Sequence, residues 1–341
     1  MRIGIDLMGS DCSPSILFKA VQEAVKEFDE VKFVVFLTQP ALDAILLDPQ
    51  FSELSFRICV EFHIVSEVIE MDEEPVSALK QKKSSSLVIG LRFLKKNYLN
   101  AFISTGNTGS LIAGAALMLP LIDGIKRPAL VALLPTQKGN VAVIDVGGTV
   151  SCRFLHLAQF AHMGAAYQAC YSGIAIPKVG LLNIGVESKK GTSEIRKAYQ
   201  FLEETDHQKQ FEFIGNIEAR KVFEGGVDVL ITDGFTGNVL LKTAEGMSYF
   251  VLQKLLKLLA FLPDSQKNEI ISSLKSEFDY ENYLGAVICG VERLLIKCHG
   301  HSTSKGLLNA IRGAIRLVEN QFVEKMKNKM TLGGEESSQN L

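Results

Sequence analysis

Two stretches combine residue types that could handle an anion: Ser104-Thr105-Gly106-Asn107-Thr108-Gly109 and Asp233-Gly234-Phe235-Thr236-Gly237-Asn238. Each follows an apolar, β-branched run and opens a helical pattern, the context in which free N–H groups and the helix dipole attract negative charge. Gly106, Gly109 and Gly237 let the backbone approach a ligand, while Thr105, Thr108, Thr236 and the amides of Asn107 and Asn238 add side-chain donors. Lys242 follows one helical turn after Asn238 and supplies a cation. Together the two loops predict a site for a phosphate-type anion, each holding one part of a substrate. Either loop alone also reads as an ordinary tight turn.

No dinucleotide-binding or P-loop spacing accompanies these loops, so NAD, FAD and ATP are not expected. Other candidates are weaker. Leu181 to Thr192, LLNIGVESKKGT, offers Asn183, Glu187, Lys189 and Lys190 around two glycines; its lysines could neutralise a phosphate or a thiolate, or be a solvated turn. The basic run holding Lys80, Lys82 and Lys83 has the same two readings. Near the C-terminus, Lys297-Cys298-His299-Gly300-His301-Ser302 closes an apolar run. His299 and Ser302 there are candidates for acid–base work or anion contact, and Cys298 is a nucleophile on paper but more commonly a buried structural residue.

Those loops need elements to hold them. Short apolar runs at Ile3 to Ile5, Ala101 to Ile103, Val141 to Ile144, Val179 to Leu182 and Val227 to Ile231 each end in a polar cluster. They alternate with helical patterns at 14–28, 84–96, 193–204, 238–262 and 306–326. This alternation predicts an α/β fold with a largely parallel sheet covered on both faces. All five polar clusters, Asp6 heading the first, are expected on the one edge where strand carboxyl ends gather. Tyr249 to Leu262 spaces apolar residues at 251, 255, 258 and 262, a core or dimer-interface face, or else a peripheral membrane contact.

Size and composition fit two lobes in a single catalytic unit over 1–330, with 1–110 and 280–330 forming one lobe, 111–279 the other, and 331–341 a frayed tail. A formal net charge of -2 gives no global attraction to nucleic acid. The 6 cysteines show neither zinc spacing nor a disulfide framework, so no metal is expected, and a reducing cytoplasm is. The N-terminus lacks a signal-peptide pattern, and the longest apolar run is too short to span a bilayer.

Several ordered segments resemble the bacterial acyl-[acyl-carrier-protein]:phosphate acyltransferase family over nearly the whole chain. They are IDLMGSD (5–11), EMDEEPVSALKQKKSSS (70–86), ISTGNTGSL (103–111), RPAL and LLPT (127–136), DVGG (145–148), LLNIGVESKKG, FIGNIEAR (213–220), DGFTGNVLLKTAEG (233–246) and IKCHGHS. The resemblance implies a two-lobed fold similar to phosphotransacetylases and isocitrate dehydrogenases, and transfer of a fatty acyl group from carrier protein to inorganic phosphate. It implies a homodimer without cofactor or metal, whose acyl phosphate product goes to a membrane glycerol-phosphate acyltransferase. On this basis Asn107, Lys190, Asn238 and His299 are expected catalytic residues. Asp6, Thr105, Gly106, Thr108, Gly109, Asn183, Glu187, Asn216, Asp233, Thr236, Gly237, Lys242 and Ser302 are expected to bind substrate. Lys82, Lys83, Lys95 and Lys96 are the expected docking face for an acidic carrier protein. The chain differs from the family pattern at Ser10, at Gly148-Thr149-Val150-Ser151 and at His301. A dehydrogenase of the same fold would need a nicotinamide site and metal-binding aspartates, and a non-catalytic scaffold would need neither loop.

Overall fold

A computed structural model describes residues 1–48, 59–205, 210–278, 284–298 and 302–331. His299, His301 and the tail from 332 lie outside the described residues. The first half runs β1 (Arg2–Asp6), α1 (Pro14–Glu27), β2 (Lys32–Leu37), α2 (Gln39–Leu46), β3 (Val60–Ile64), α3 (Pro75–Gln81), α4 (Ser86–Lys95), β4 (Ala101–Ser104) and α5 (Thr108–Met118). There follow β5 (Ala129–Thr136), β6 (Gly139–Ile144), α6 (Phe154–Tyr171), β7 (Lys178–Asn183), α7 (Ser193–Thr205), β8 (Glu212–Glu218), α8 (Ala219–Val222), β9 (Val229–Ile231) and α9 (Gly234–Leu258). Then come α10 (Asp264–Phe278), β10 (Ala286–Cys289), β11 (Leu294–Lys297), α11 (Ser304–Glu319) and α12 (Phe322–Thr331).

Among the described residues all strands join one sheet in the order β3-β2-β1-β4-β11-β10-β5-β6-β9-β7-β8. Side chains alternate between its faces: Phe33 and Val35 enter one apolar cluster, Val34 and Phe36 the other. Helices α1, α6 and α11 cover the first face, with Leu17, Phe160 and Ile311 in that cluster. Helices α4 and α5 cover the second through Leu91 and Leu111. Burial on both faces is why the strands read as continuous apolar runs.

The expectation of one polar edge is corrected. β10 is antiparallel to both β11 and β5, and β5 is antiparallel to β6, so β6, β9, β7 and β8 run opposite to β1, β4 and β11. The loops after β1 and β4 therefore leave from the opposite edge to those after β6, β7 and β9. Sheet twist reduces this separation. At roughly 20–25° per neighbouring pair, the path β4-β11-β10-β5-β6-β9 rotates by roughly 100–125°, so the two edges are not directly opposed.

Two helix expectations also change. The 306–326 pattern breaks into α11 and α12 at Asn320 and Gln321, where Gln321 takes a φ of 52° that no helix tolerates. The 238–262 pattern starts earlier, at Gly234, and is not a core helix: its buried residues are Gly234 and Gly237, and Leu258 is 68% exposed. Among the described residues no helix is long and apolar enough to cross a membrane.

Candidate functional site

β1, β4 and β11 lie side by side and parallel, so their last residues, Asp6, Ser104 and Lys297, stand at one edge. All three are buried. Ser104 donates its hydroxyl proton to Asp6 Oδ2 at 2.8 Å, and the Met8 N–H donates to Asp6 Oδ1 at 3.0 Å. The Gly106 N–H in turn donates to Ser104 Oγ at 3.2 Å. Lys297 Nζ donates to the Thr105 carbonyl at 3.0 Å and to the Cys298 carbonyl. The first loop is thus clamped from below by a carboxylate, a hydroxyl and an ammonium.

The sequence reading missed Lys297 because it looked past the strand to the histidines. The available signal was a lysine closing the apolar run Leu294 to Ile296, where a charge has no place unless it is used. Burial pushes Lys297 down from 10.5 to about 8, with the Lys242 ammonium adding to the depression while Cys298, Asp6 and Asp11 oppose it. Burial likewise raises Asp6 from 3.8 to about 6 against the pull of Ser86, Met8, Ser104 and Lys297. Lys242, on α9, pairs with Glu245 at 2.8 Å.

Asn107 caps α5: its Oδ1 accepts the Ser110 N–H at 2.9 Å. Its amide donates to the carbonyls of Glu70, Met71 and Glu73 at 3.2, 3.0 and 3.4 Å, tying the 70–73 segment over the loop. Thr105 is fully buried and gives its hydroxyl to the Asp6 carbonyl at 3.1 Å. Asn107 and Thr105 therefore shape the cradle. The backbone N–H groups of Thr108 and Gly109, in the first turn of α5 and without intrahelical acceptors, are the donors the cradle presents.

The second loop is seated on Asp145. That buried carboxylate accepts N–H bonds from Leu130, Gly147 and Gly148 on Oδ1 and from Thr149 on Oδ2, at 3.0, 3.2, 2.9 and 2.6 Å. Burial raises its pKa and those four bonds oppose the rise. The Thr149 carbonyl accepts the Gly234 N–H at 2.8 Å, and Asn238 donates its amide to the Val146 carbonyl at 3.1 Å. Asp233 caps α9 by accepting the Thr236 N–H at 2.7 Å and the Thr236 hydroxyl at 3.0 Å. The 148–151 segment, where the chain differs from the family pattern, is held through the N–H groups of Gly148 and Thr149, and a Cβ at Gly148 would stand 3.0 Å from Asp145 Oδ2.

Asn183, Glu187, Lys190 and Asn216 form a separate group. Asn183 accepts the Ile184 N–H at 2.8 Å and donates to the Lys190 carbonyl at 3.2 Å, while Asn216 donates to the Glu187 carbonyl at 2.9 Å. The two amides hold the turn, and the Lys190 side chain is left exposed. Ser302 is buried just before α11.

The four docking lysines do not form one patch. Lys82 and Lys83 precede α4, and Lys95 and Lys96 end it, about 15 Å away along the helix. Lys82 also binds Glu73 at 2.5 Å and the Val68 carbonyl at 2.6 Å, bracing the segment that Asn107 grips. Cys298 is poorly placed as a nucleophile: it is buried, and burial pushes its thiol up to about 12 against the pull of Lys297. Cys298→Ala is expected to keep turnover within about threefold of the parent, a volume change without a chemical one. A loss beyond tenfold in a folded variant would restore the thiol to the mechanism.

The family model described as fatty acid synthesis protein matches residues 1–325. A phosphate acyltransferase from Chlamydia felis is 36% identical over 334 residues, covering 97% of this chain and 99% of the relative. One from Caldanaerobacter subterraneus is 36% identical over 343 residues, covering 99% and 100%. Among solved structures, a phosphotransacetylase from Streptococcus pyogenes superposes with a TM-score of 0.60 at 13% identity, covering 94% of each chain. That likeness concerns the fold, an α/β architecture on a mixed, mostly parallel sheet.

Proposed function

Since the chain belongs to the fatty acid synthesis protein family, whose relatives are phosphate acyltransferases, we propose that it moves a fatty acyl group from acyl carrier protein to inorganic phosphate. The observation that carries this reading is the first loop, which opens α5 with first-turn N–H groups and is seated on buried Asp6, Ser104 and Lys297. It sets backbone donors beside a buried cation. Such a site suits a reaction whose nucleophile is itself an anion.

In this mechanism Lys297, Lys242 and the first-turn N–H groups of α5 hold phosphate. A phosphate oxygen attacks the thioester carbonyl, and the oxyanion that forms is stabilised by what the second loop has left to give, the Phe235 N–H in the first turn of α9 and the second amide proton of Asn238. Collapse breaks the C–S bond, the thiolate leaves with the carrier protein, and a proton from the bound phosphate or Lys190 converts it to thiol. Carbon–oxygen bond formation thus balances carbon–sulfur cleavage, with acyl phosphate and carrier thiol as products. His299, outside the described residues, remains a candidate proton donor for the same step.

Phosphate-dependent thiol release from acyl carrier protein tests the reading directly. Asn107→Ala, which frees the 70–73 segment from the first loop, and Asn238→Ala, which frees the second loop from Val146, are each expected to lower turnover by about 10² through misplacement of the site. Near-normal turnover in both would remove the two loops from the chemistry. NAD reduction in place of thiol release would favour the dehydrogenase reading of the fold.

The reading extends to a homodimer working beside a membrane, where a glycerol-phosphate acyltransferase would take the product. Phe250 at 54% and Phe261 at 82% exposure support contact of that kind. Phe261→Glu is expected to reduce flotation with anionic vesicles; unchanged flotation would detach this end of α9 and the turn after it from the membrane.

A further inference from the structure

The edge of the sheet that carries the second loop holds more positive charge than acyl transfer itself uses. β5 runs antiparallel to β6 with Val131 opposite Ile144, so the start of β5 lies beside the end of β6. The Leu130 N–H reaches Asp145 at 3.0 Å, and Lys126 and Arg127 stand just before that point in the chain. Gln159 fixes this stretch against α6, accepting the Lys126 N–H at 3.2 Å and donating to the Gly124 carbonyl at 2.7 Å. Arg153 heads α6, and its N–H donates to His156 Nδ1 at 3.3 Å. Burial first, and then the charges of Arg127, Arg153 and Lys126, hold His156 below its usual value, so all three cations act on one imidazole.

β7 ends two strands from β6, about 10 Å away. The turn after it adds Lys189 and Lys190, both exposed, against the single carboxylate of Glu187. The Phe154 N–H donates to Glu194 Oε2 at 2.9 Å, which joins the start of α6 to the start of α7, and Lys197 occupies the other oxygen at 3.1 Å. Among the described residues none of Lys126, Arg127, Arg153, Lys189 and Lys190 has a carboxylate within ion-pair distance. Beside these cations stand Val150, Ile184 and Val186, exposed by 74, 80 and 59%. In a chain of net charge -2, unpaired cations set among open aliphatic side chains make a docking surface, with apolar contact for affinity and charge for the choice of partner.

We propose that this edge docks the acyl carrier protein, an inference that rests on the acyl-transfer reading and adds the surface that seats its partner. The carrier is acidic, so its charge complements the edge. β9 lies between β6 and β7, and the second loop follows β9, so that loop opens between the two halves of the surface. A carrier seated there presents its thioester to the second loop, whereas a lipid surface would cover the loop. A symmetric contact with a second copy would set these cations against their own kind.

The test measures phosphate-dependent thiol release by the full chain and by the double variant Lys126→Glu with Arg153→Glu. The substrates are acyl carrier protein and a small thioester, acyl-N-acetylcysteamine. The variant is expected to raise the apparent KM for the carrier substrate by on the order of tenfold and to flatten its salt dependence, with the small thioester changed by less than about twofold. Lys19→Glu, an exposed reversal on α1, should leave both substrates within about twofold. Equal effects on the two substrates, no effect on either, or the same loss in Lys19→Glu overturn the proposal. Lost flotation with anionic vesicles at unchanged carrier KM assigns the edge to a membrane, and altered sedimentation at unchanged carrier KM assigns it to a second copy; either result overturns it. Should the double variant fail to fold, Ile184→Asp, whose side chain is open to water, must show the same split between substrates. Thiol release by the unmodified chain reports on the acyl-transfer reading alone. Fluorescence anisotropy of labelled carrier protein reads docking without turnover, so failure of the surface is separate from failure of that reading.

Discussion

Lys297→Met is expected to lower turnover by on the order of 10² to 10³ while leaving the protein folded. The side chain sits at the end of β11 with its ammonium on the Thr105 and Cys298 carbonyls. Methionine keeps much of the stem volume and removes the charge proposed to hold phosphate. Asp6 then loses one of the groups that hold it down, and its pKa is expected to rise further above about 6. A Met variant with turnover within threefold of the parent would sink the assignment.

The same residue gives a pH dependence. Because Lys297 is depressed to about 8, its positive charge fades as pH rises through that value. The apparent KM for phosphate is therefore expected to climb above pH about 8. In Lys297→Arg, whose guanidinium stays charged, that limb should be absent even if turnover is lower. For stability the signs are opposite for the two partners. The Asp6 contribution is fully present below 3.8 and is lost as pH rises through about 6. The Lys297 contribution is fully present above 10.5 and is lost as pH falls through about 8. Between these values both groups are charged and buried, and their mutual attraction offsets part of the cost.

The second large effect is expected at Gly237. A Cβ there would stand 2.0 Å from the Asp145 carbonyl oxygen and 2.7 Å from Thr232 Cγ2. The nearest atom is backbone, so relief requires the second loop to move away from Asp145. Gly237→Ala is expected to destabilise the fold by about 3 kcal/mol, the upper end for overpacking, measurable by denaturant unfolding. Displacing Asn238 by about 1 Å should also lower turnover by about 10². Near-parental stability and turnover would mean that the loop does not depend on this close approach. Gly246, with open space around its Cβ position, is the matched control on the same helix.

Much of this protein could be read from its residues. Alternating apolar runs and polar turns placed β1, β4, β6, β7 and β9, because a strand buried on both faces must be apolar throughout. The loop around Asn107 marked a helix start, since Asn107 carries the side-chain oxygen that an N-terminal turn lacks, whereas the start after Asp233 was placed four residues late. The ordered motifs from IDLMGSD to IKCHGHS carried the family. What one sequence does not carry is the direction of a strand relative to its neighbour. The turn at β10 and the β5–β6 hairpin reversed half the sheet, and with it the edge from which the second loop leaves.

Spacing also does not say where a donor is spent. The Asn107 amide and the Thr105 hydroxyl looked free for a ligand but satisfy the 70–73 segment and the Asp6 carbonyl, as buried polar groups must. Lys297 was hidden for the converse reason, since only strand pairing put it beside Asp6 and Thr105, 291 and 192 positions earlier in the chain. Residue types and their order thus determined the main strands, several of the helices and the family. The tertiary structure decided strand polarity, the partner of each polar group and the buried ammonium, because these depend on contacts between segments distant in sequence.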